Sequence, residues 1–134
     1  MRANPYAQYQ SIDLEAKVES ASPHGLIGML YEGFLTRVAQ AKAAMLAGNF
    51  EQKGINVTKA HNILGGLKDG LNPEQSPELS ERLGELYDYC QRRLLDASAQ
   101  RDAEGFDEVA SLIREVKEAW DAIEPEVAQM AQAS

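Results

Sequence analysis

Three side chains of this 134-residue chain are natural candidates for chemistry: His24, His61 and Cys90. Two imidazoles and a thiol could hold a metal, relay a proton or attack an electrophile, given the right neighbours. Di-iron helical bundles use Glu-x-x-His pairs, but Ala21 stands three residues before His24 and Thr58 three before His61. A structural zinc site needs more thiolate partners than Cys90 alone supplies. Neither a phosphate-binding glycine loop nor a dinucleotide fingerprint occurs, and Gly65-Gly66 falls inside a helical pattern. Cys90 lies on an apolar helical stripe and reads as a small buried hydrophobe. His24 falls in the first turn of a helix, where the macrodipole disfavours a positive charge, and is expected to be exposed and neutral. The expectation is a protein with no catalytic residue, no metal and no cofactor.

The elements that carry these residues are helices. Ser22-Pro23 is a helix start, and the first helix is expected over about 23–47 with an inward stripe of Ile27, Leu30, Phe34, Val38, Ala41 and Met45. Gly48-Asn49 stops it; Asn49 can cap the second helix, with Gln52 placed for a reciprocal bond. That helix carries Phe50, Val57, Ala60, Leu64, Leu67 and Leu71, widened by Ile55 and Ile63. Ser76-Pro77 opens a third helix with Leu79, Leu83, Leu86, Cys90, Leu94 and Ala97. Asp102 can cap a fourth bearing Phe106, Val109, Ile113, Val116, Trp120 and Ile123; after Pro125, Val127 and Met130 fit a short final helix. Short connections make neighbours antiparallel, so the fold class is all-α: an up-down-up-down four-helix bundle over 22–134 with an N-terminal arm, 1–21.

Composition narrows the partners. Lys and Arg number 13 against 21 Asp and Glu, a formal charge of −8 that opposes binding to nucleic acid. No apolar run reaches membrane-spanning length, so no membrane insertion is expected. The N-terminal residues carry no secretory signal and the lone cysteine forms no internal disulfide, which together suggest a cytosolic, cytoplasmic protein.

The apolar content is unevenly spread. Leu26-Ile27-Gly28-Met29-Leu30-Tyr31-Glu32-Gly33-Phe34-Leu35 holds seven large apolar side chains. At about 100° per residue they cover roughly 240°, where one core-facing stripe needs little more than about 100°. Tyr87 and Tyr89 point about 200° apart and cannot share one core. Gly28 and Gly33 suit the close approach of another backbone, either within the bundle or from a partner. Upstream, Tyr6, Tyr9 and Ile12 are three apart and could face one way from a short turn, as a docking segment or as a frayed terminus. A self-associating structural bundle, including a homodimer, would also use such a surplus. Separately, Ala60-His61-Asn62-Ile63-Leu64-Gly65-Gly66 resembles the phosphoacceptor helix of histidine phosphotransfer domains, with Leu64 standing where those domains carry a lysine.

A longer series carries a more specific resemblance. Asn4-Pro5-Tyr6-x-x-Tyr9, Ala21-Ser22-Pro23-x-x-Leu26-Ile27-x-Met29-Leu30-Tyr31-Glu32-Gly33, Lys59-Ala60 with Ile63-Leu64, Leu86-Tyr87-Asp88-Tyr89 with Arg93-Leu94, Asp107-Glu108-Val109 and Ala119-Trp120 follow in order. Over about residues 4–120 the chain resembles the flagellar secretion chaperone family, FliS. Glu32 stands where Asp is common, Asn72 replaces an acid, Ser76-Pro77 replaces glycines and Cys90 replaces Met.

The resemblance implies a cytosolic, non-enzymatic export chaperone. It would bind the disordered C-terminal segment of flagellin, prevent premature polymerisation and deliver the subunit to the flagellar type III secretion apparatus through an export gate component. It also implies an arm of Tyr6, Tyr9 and Ile12 that covers the groove until the client displaces it. The groove itself would comprise Leu26, Met29, Tyr31, Gly33, Tyr87, Tyr89 and Leu94.

Overall fold

A computed structural model describes residues 22–123; the expected arm over 1–21 and the short final helix with Val127 and Met130 lie outside the described residues. Four helices fill this span: α1 (Pro23–Leu46), α2 (Phe50–Asp69), α3 (Pro77–Gln100) and α4 (Ala103–Asp121). Among the described residues there is no strand, and the packing is that of a four-helix bundle.

Helix ends follow the expected punctuation, with two exceptions. The Ser22 hydroxyl accepts the Gly25 amide at 3.1 Å with Pro23 at the first helical position. Asn49 accepts the Gln52 amide at 3.2 Å, although the reciprocal bond expected from Gln52 is not made. Asp102 accepts the Glu104 amide at 3.1 Å. Ser76 precedes α3 as expected but makes no side-chain capping bond. Gly48, with φ of +79°, supplies the left-handed turn between α1 and α2. Between α3 and α4 that conformation falls to Arg101, φ +55°, where an L side chain costs energy that glycine would not.

Cross-helix bonds fix the arrangement. α1 packs on α2 and α4, and α3 packs on α2 and α4, so α1 and α3 are diagonal. Each adjacent pair runs antiparallel. The start of α1 meets the end of α4 through His24 and Trp120, and its end meets the start of α4 through Lys42 and Asp107. Lys53, near the start of α2, reaches the Ser98 carbonyl near the end of α3 at 2.8 Å. Arg93 of α3 bonds Glu108 of α4 at 2.8 Å.

The core is built from every helix: Tyr31, Phe34, Val38, Ala41 and Met45; Val57, Ala60, Leu64 and Leu67; Tyr87, Cys90, Leu94 and Ala97; Phe106, Val109, Ile113 and Trp120. Three expected inward positions are replaced. On α1, Tyr31 is buried and Leu30 is 37% exposed. Position 31 continues the alternating spacing of three and four set by 34, 38, 41 and 45, whereas 30 falls one residue off that line. On α3, Ser80 and Tyr87 take the inward line, leaving Leu79 exposed and Leu86 half-buried. Phe50 also turns outward, with the Arg101 guanidinium 4.2 Å from its ring centre and the Lys53 ammonium 5.3 Å away.

Gly28 and Gly33 of α1 do not serve close backbone contact among the described residues. A Cβ at Gly28 would meet Asp121 at 3.7 Å and Trp120 at 4.0 Å, and one at Gly33 would meet only Ile63 at 3.5 Å, all side chains. The tight position is Gly105 on α4, where a Cβ would lie 2.5 Å from that of Ala97 and 2.7 Å from an Arg93 nitrogen. Gly105→Ala is therefore expected to destabilise the bundle by about 1–3 kcal/mol through overpacking. Gly66→Ala, which faces open space on α2, is expected to stabilise it by about 1 kcal/mol through helix propensity. Urea unfolding of the two variants checks both signs.

Candidate functional site

None of the three chemically suggestive side chains is set up for catalysis. Cys90 is fully buried on α3, and burial, aided by the Glu108 charge, pushes its thiol up to about 12. A thiol so protonated at neutral pH is a packing group. His61 is half-buried on α2, and Leu64, where a phosphotransfer helix would carry lysine, is fully buried. No group of three or more His, Cys, Asp or Glu side chains among the described residues could hold a metal ion.

His24 corrects the expectation of an exposed residue. Its Nε2 lies 2.7 Å from the Trp120 carbonyl and donates to it, while the Trp120 indole N–H donates to the His24 carbonyl at 2.9 Å. The two rings stack with centres 4.9 Å apart. This reciprocal clasp satisfies polar groups at the first turn of α1 and the last turn of α4 together.

The seven groove candidates separate into three places. Tyr31, Tyr87 and Leu94 are fully buried, so in this structure they belong to the core and offer no surface. Across the bundle centre, the Tyr31 and Tyr87 hydroxyls hydrogen-bond each other at 2.6 Å, so neither polar tip is left unsatisfied. Leu26, Met29 and Gly33 lie partly exposed on α1, joined by the more exposed Leu30. Gly33 faces Ile63, so part of this strip borders α2. Tyr89 stands on α3, diagonal to α1, and is 37% exposed. Tyr6, Tyr9 and Ile12 lie outside the described residues.

Tyr89 is held in place by a polar chain. Its hydroxyl donates to one Glu108 carboxylate oxygen; the other accepts from Arg93 Nε at 2.8 Å. Arg93 also donates to Asp102 at 2.9 Å, and Asp102 in turn caps α4. Hydrogen bonding from Arg93 holds the Asp102 carboxyl below its usual value, while bonds from Tyr89 and Arg93 do the same for Glu108. The result is an aromatic ring fixed on a surface, with its conformational entropy already reduced.

Reasoning from sequence missed Leu30 and Ile63 as parts of the α1–α2 surface, and Leu46, Phe50 and Leu95 as exposed apolar groups. The width of the apolar arc on α1 was the available signal for Leu30. Among the described residues this set of side chains leaves an outward apolar strip on α1 and a fixed aromatic on a different face.

Burial pushes the hydroxyls of Tyr31 and Tyr87 above the ordinary tyrosine value, opposed for Tyr31 by its bond to Tyr87 and reinforced for Tyr87 by Tyr31. The folded protein thus holds these protons more tightly than the unfolded chain. The stabilisation is complete below pH about 10, the unfolded tyrosine value, and declines as pH rises beyond it. An alkaline absorbance titration followed with circular dichroism is expected to show both tyrosines ionising only as the helices melt. Ionisation of both with the helices intact would contradict the buried pair.

Comparison with known proteins places the whole described bundle in one family. The family model described as flagellar protein FliS matches residues 3–127. The flagellar secretion chaperone FliSB of Pseudomonas aeruginosa is 44% identical over 116 residues, covering 87% of this chain and 92% of that protein. The flagellar secretion chaperone FliS of Salmonella typhimurium is 42% identical over 118 residues, 87% of each chain. FliS of Bacillus subtilis is 36% identical over 117 residues, 87% of this chain and 84% of its own. A family model matched over most of the chain, with relatives 36–44% identical that are chaperones rather than enzymes, settles the family: the chain belongs to the FliS family of flagellar secretion chaperones.

Proposed function

We propose that this protein is an export chaperone that binds the disordered C-terminal segment of flagellin and keeps it from polymerising before export. It then delivers the subunit to the flagellar type III secretion apparatus through an export gate component. The observation that carries the reading is the outer strip of α1, where Leu26, Met29 and Leu30 keep exposed apolar surface while the same helix sends Tyr31 and Phe34 into the core. Contiguous exposed apolar surface marks an interaction site, and an amphipathic client segment laid along it buries that surface.

In this proposal Tyr89 gives the client a second point of contact on another face, so the client crosses more than one side of the bundle. Ordering such a segment costs roughly 2–5 kcal/mol, which a long apolar contact offsets. The arm of Tyr6, Tyr9 and Ile12 covers the α1 strip in the empty protein, and the client displaces it; an intramolecular cover lowers apparent client affinity but protects the strip. The cytosol is where such a chaperone meets newly made flagellin. Among the described residues no helix is long and apolar enough to cross a membrane.

Titration with a flagellin C-terminal peptide tests the reading directly. Binding is expected at micromolar concentration or tighter, and Met29→Glu or Leu26→Glu is expected to weaken it by roughly tenfold or more, as loss of an apolar anchor does. Leu95→Glu, an exposed change on α3 away from the strip, is expected to leave affinity within about twofold. Absence of binding by the unmodified protein sinks the chaperone reading; concentration-dependent dimers instead would favour self-association.

A further inference from the structure

Among the exposed large apolar side chains of the described residues, Tyr89 alone ends in a group that a hydrogen bond can hold; the others end in carbon. That group is held from deep within the α3–α4 seam. The Asp102 carboxylate is fixed by capping α4 at the Glu104 amide, 3.1 Å away, and accepts from Arg93 Nη2 at 2.9 Å. The Arg93 guanidinium lies against the α4 backbone, where a Cβ at Gly105 would be 2.7 Å from Nη1 and 2.9 Å from Cζ. Arg93 Nε then donates to Glu108 at 2.8 Å, and the other Glu108 oxygen takes the Tyr89 hydroxyl proton.

Such a chain adds little to stability at its outer end. A surface hydroxyl bonded to a carboxylate gives up a bond to water, so the net gain is small. What it removes is freedom of the ring, and that freedom is otherwise lost when a partner orders the side chain. The arrangement therefore favours binding more than folding.

It also sets the polarity of the contact. A phenol has one proton, and here Glu108 holds it; the same bond is the main cause that raises the Tyr89 hydroxyl above the ordinary tyrosine value. Toward a partner the oxygen can only accept. Two carboxylates against one guanidinium leave net negative charge beside the ring. Along α3, Glu85 and Asp96 stand four before and seven after Tyr89, with Arg92 three after, so acids exceed bases there as well. The face of a tyrosine ring attracts a cation, and an acidic surround strengthens the preference.

We propose that Glu108, held by Arg93, positions and selects at the Tyr89 contact: it fixes the ring for the client and admits a client side chain with an apolar stem and an N–H-bearing head, as in lysine or arginine, while turning away a carboxylate. The inference rests on the reading of Tyr89 as a second client contact and gives that contact its chemistry.

Titration of the full-length chain with a flagellin C-terminal peptide tests both roles. Tyr89→Phe keeps the ring and loses the tether, whereas Glu108→Ala removes the acceptor. Each is expected to weaken binding by about twofold to fivefold, the cost of ordering one aromatic side chain, and the double variant by no more than either alone. Glu108→Gln, whose amide oxygen still accepts the tyrosine proton, is expected to recover most of the loss. A merely structural role would change urea unfolding without this coupling in affinity. Losses that multiply in the double variant, or no loss in Tyr89→Phe, overturn the positioning role. For selection, peptides with each Lys or Arg changed in turn to Glu are titrated against the unmodified protein and Tyr89→Ala. One position is expected to lose about tenfold or more with the first and less than about threefold with the second; equal losses at every position overturn the selection. If Tyr89→Ala binds the peptide as tightly as the unmodified protein while Met29→Glu does not, the chaperone reading stands and this inference falls. If the unmodified protein binds no peptide, both fall.

Discussion

The Tyr31–Tyr87 hydrogen bond is the constraint around which this bundle is arranged. It joins α1 to α3, two helices that stand diagonally and share little direct packing, through the centre of the core. Both hydroxyls are wholly buried, and a buried hydroxyl without a partner costs about 1–3 kcal/mol. Each tyrosine is therefore tolerable in the core chiefly because the other is there. Meeting that requirement sets the rotation of both helices. With Tyr31 turned inward, Leu26, Met29 and Leu30 are left toward the outside, and with Tyr87 turned inward, Tyr89 stands on the surface. One interior bond thus decides which apolar groups remain for a partner.

The other polar contacts hold the edges. The His24–Trp120 clasp closes the end where α1 begins and α4 finishes, and Trp120 also meets the Tyr31 ring edge-on with centres 6.4 Å apart. At the opposite end, Lys53 caps a carbonyl of α3 while Arg101 lies over Phe50. Between α3 and α4, Arg93 joins Asp102 to Glu108 and, through Glu108, to Tyr89. Gly105 is required because the Ala97 Cβ, backed by the Arg93 guanidinium, lies so close to α4. Among the described residues Ser80 is the exception: its buried hydroxyl has no hydrogen-bond partner there, and nothing in the structure explains its place on the inward line of α3.

Much of the architecture was legible in the chain. Helix boundaries are written in Ser22-Pro23, Gly48-Asn49 and Asp102, whose backbone consequences are local. The rotation of α1 and α3 was not legible, because Leu30 and Tyr31, or Leu86 and Tyr87, are apolar neighbours and either fits a spacing of three or four. Choosing between them depends on a partner hydroxyl 56 residues away in sequence, which periodicity does not register. The same blindness explains His24, whose exposure was inferred from its own helix dipole while its bonds go to α4. On α1, the breadth of the apolar arc signalled apolar side chains beyond one core-facing stripe, and Leu26, Met29 and Leu30 do stay partly exposed. Its division between core and surface had to come from the fold, and three of the seven groove candidates prove to be core.

The account stands on the buried tyrosine pair, and urea unfolding of Tyr31→Phe, Tyr87→Phe and the double variant measures it most directly. Each single change is expected to lose about 1–3 kcal/mol, because it strands the remaining hydroxyl, and the double variant to be more stable than either single one. If the double variant instead loses the sum of the two single losses, the hydroxyls are not partners, and the rotation of α1 and α3 argued from them falls with the pair.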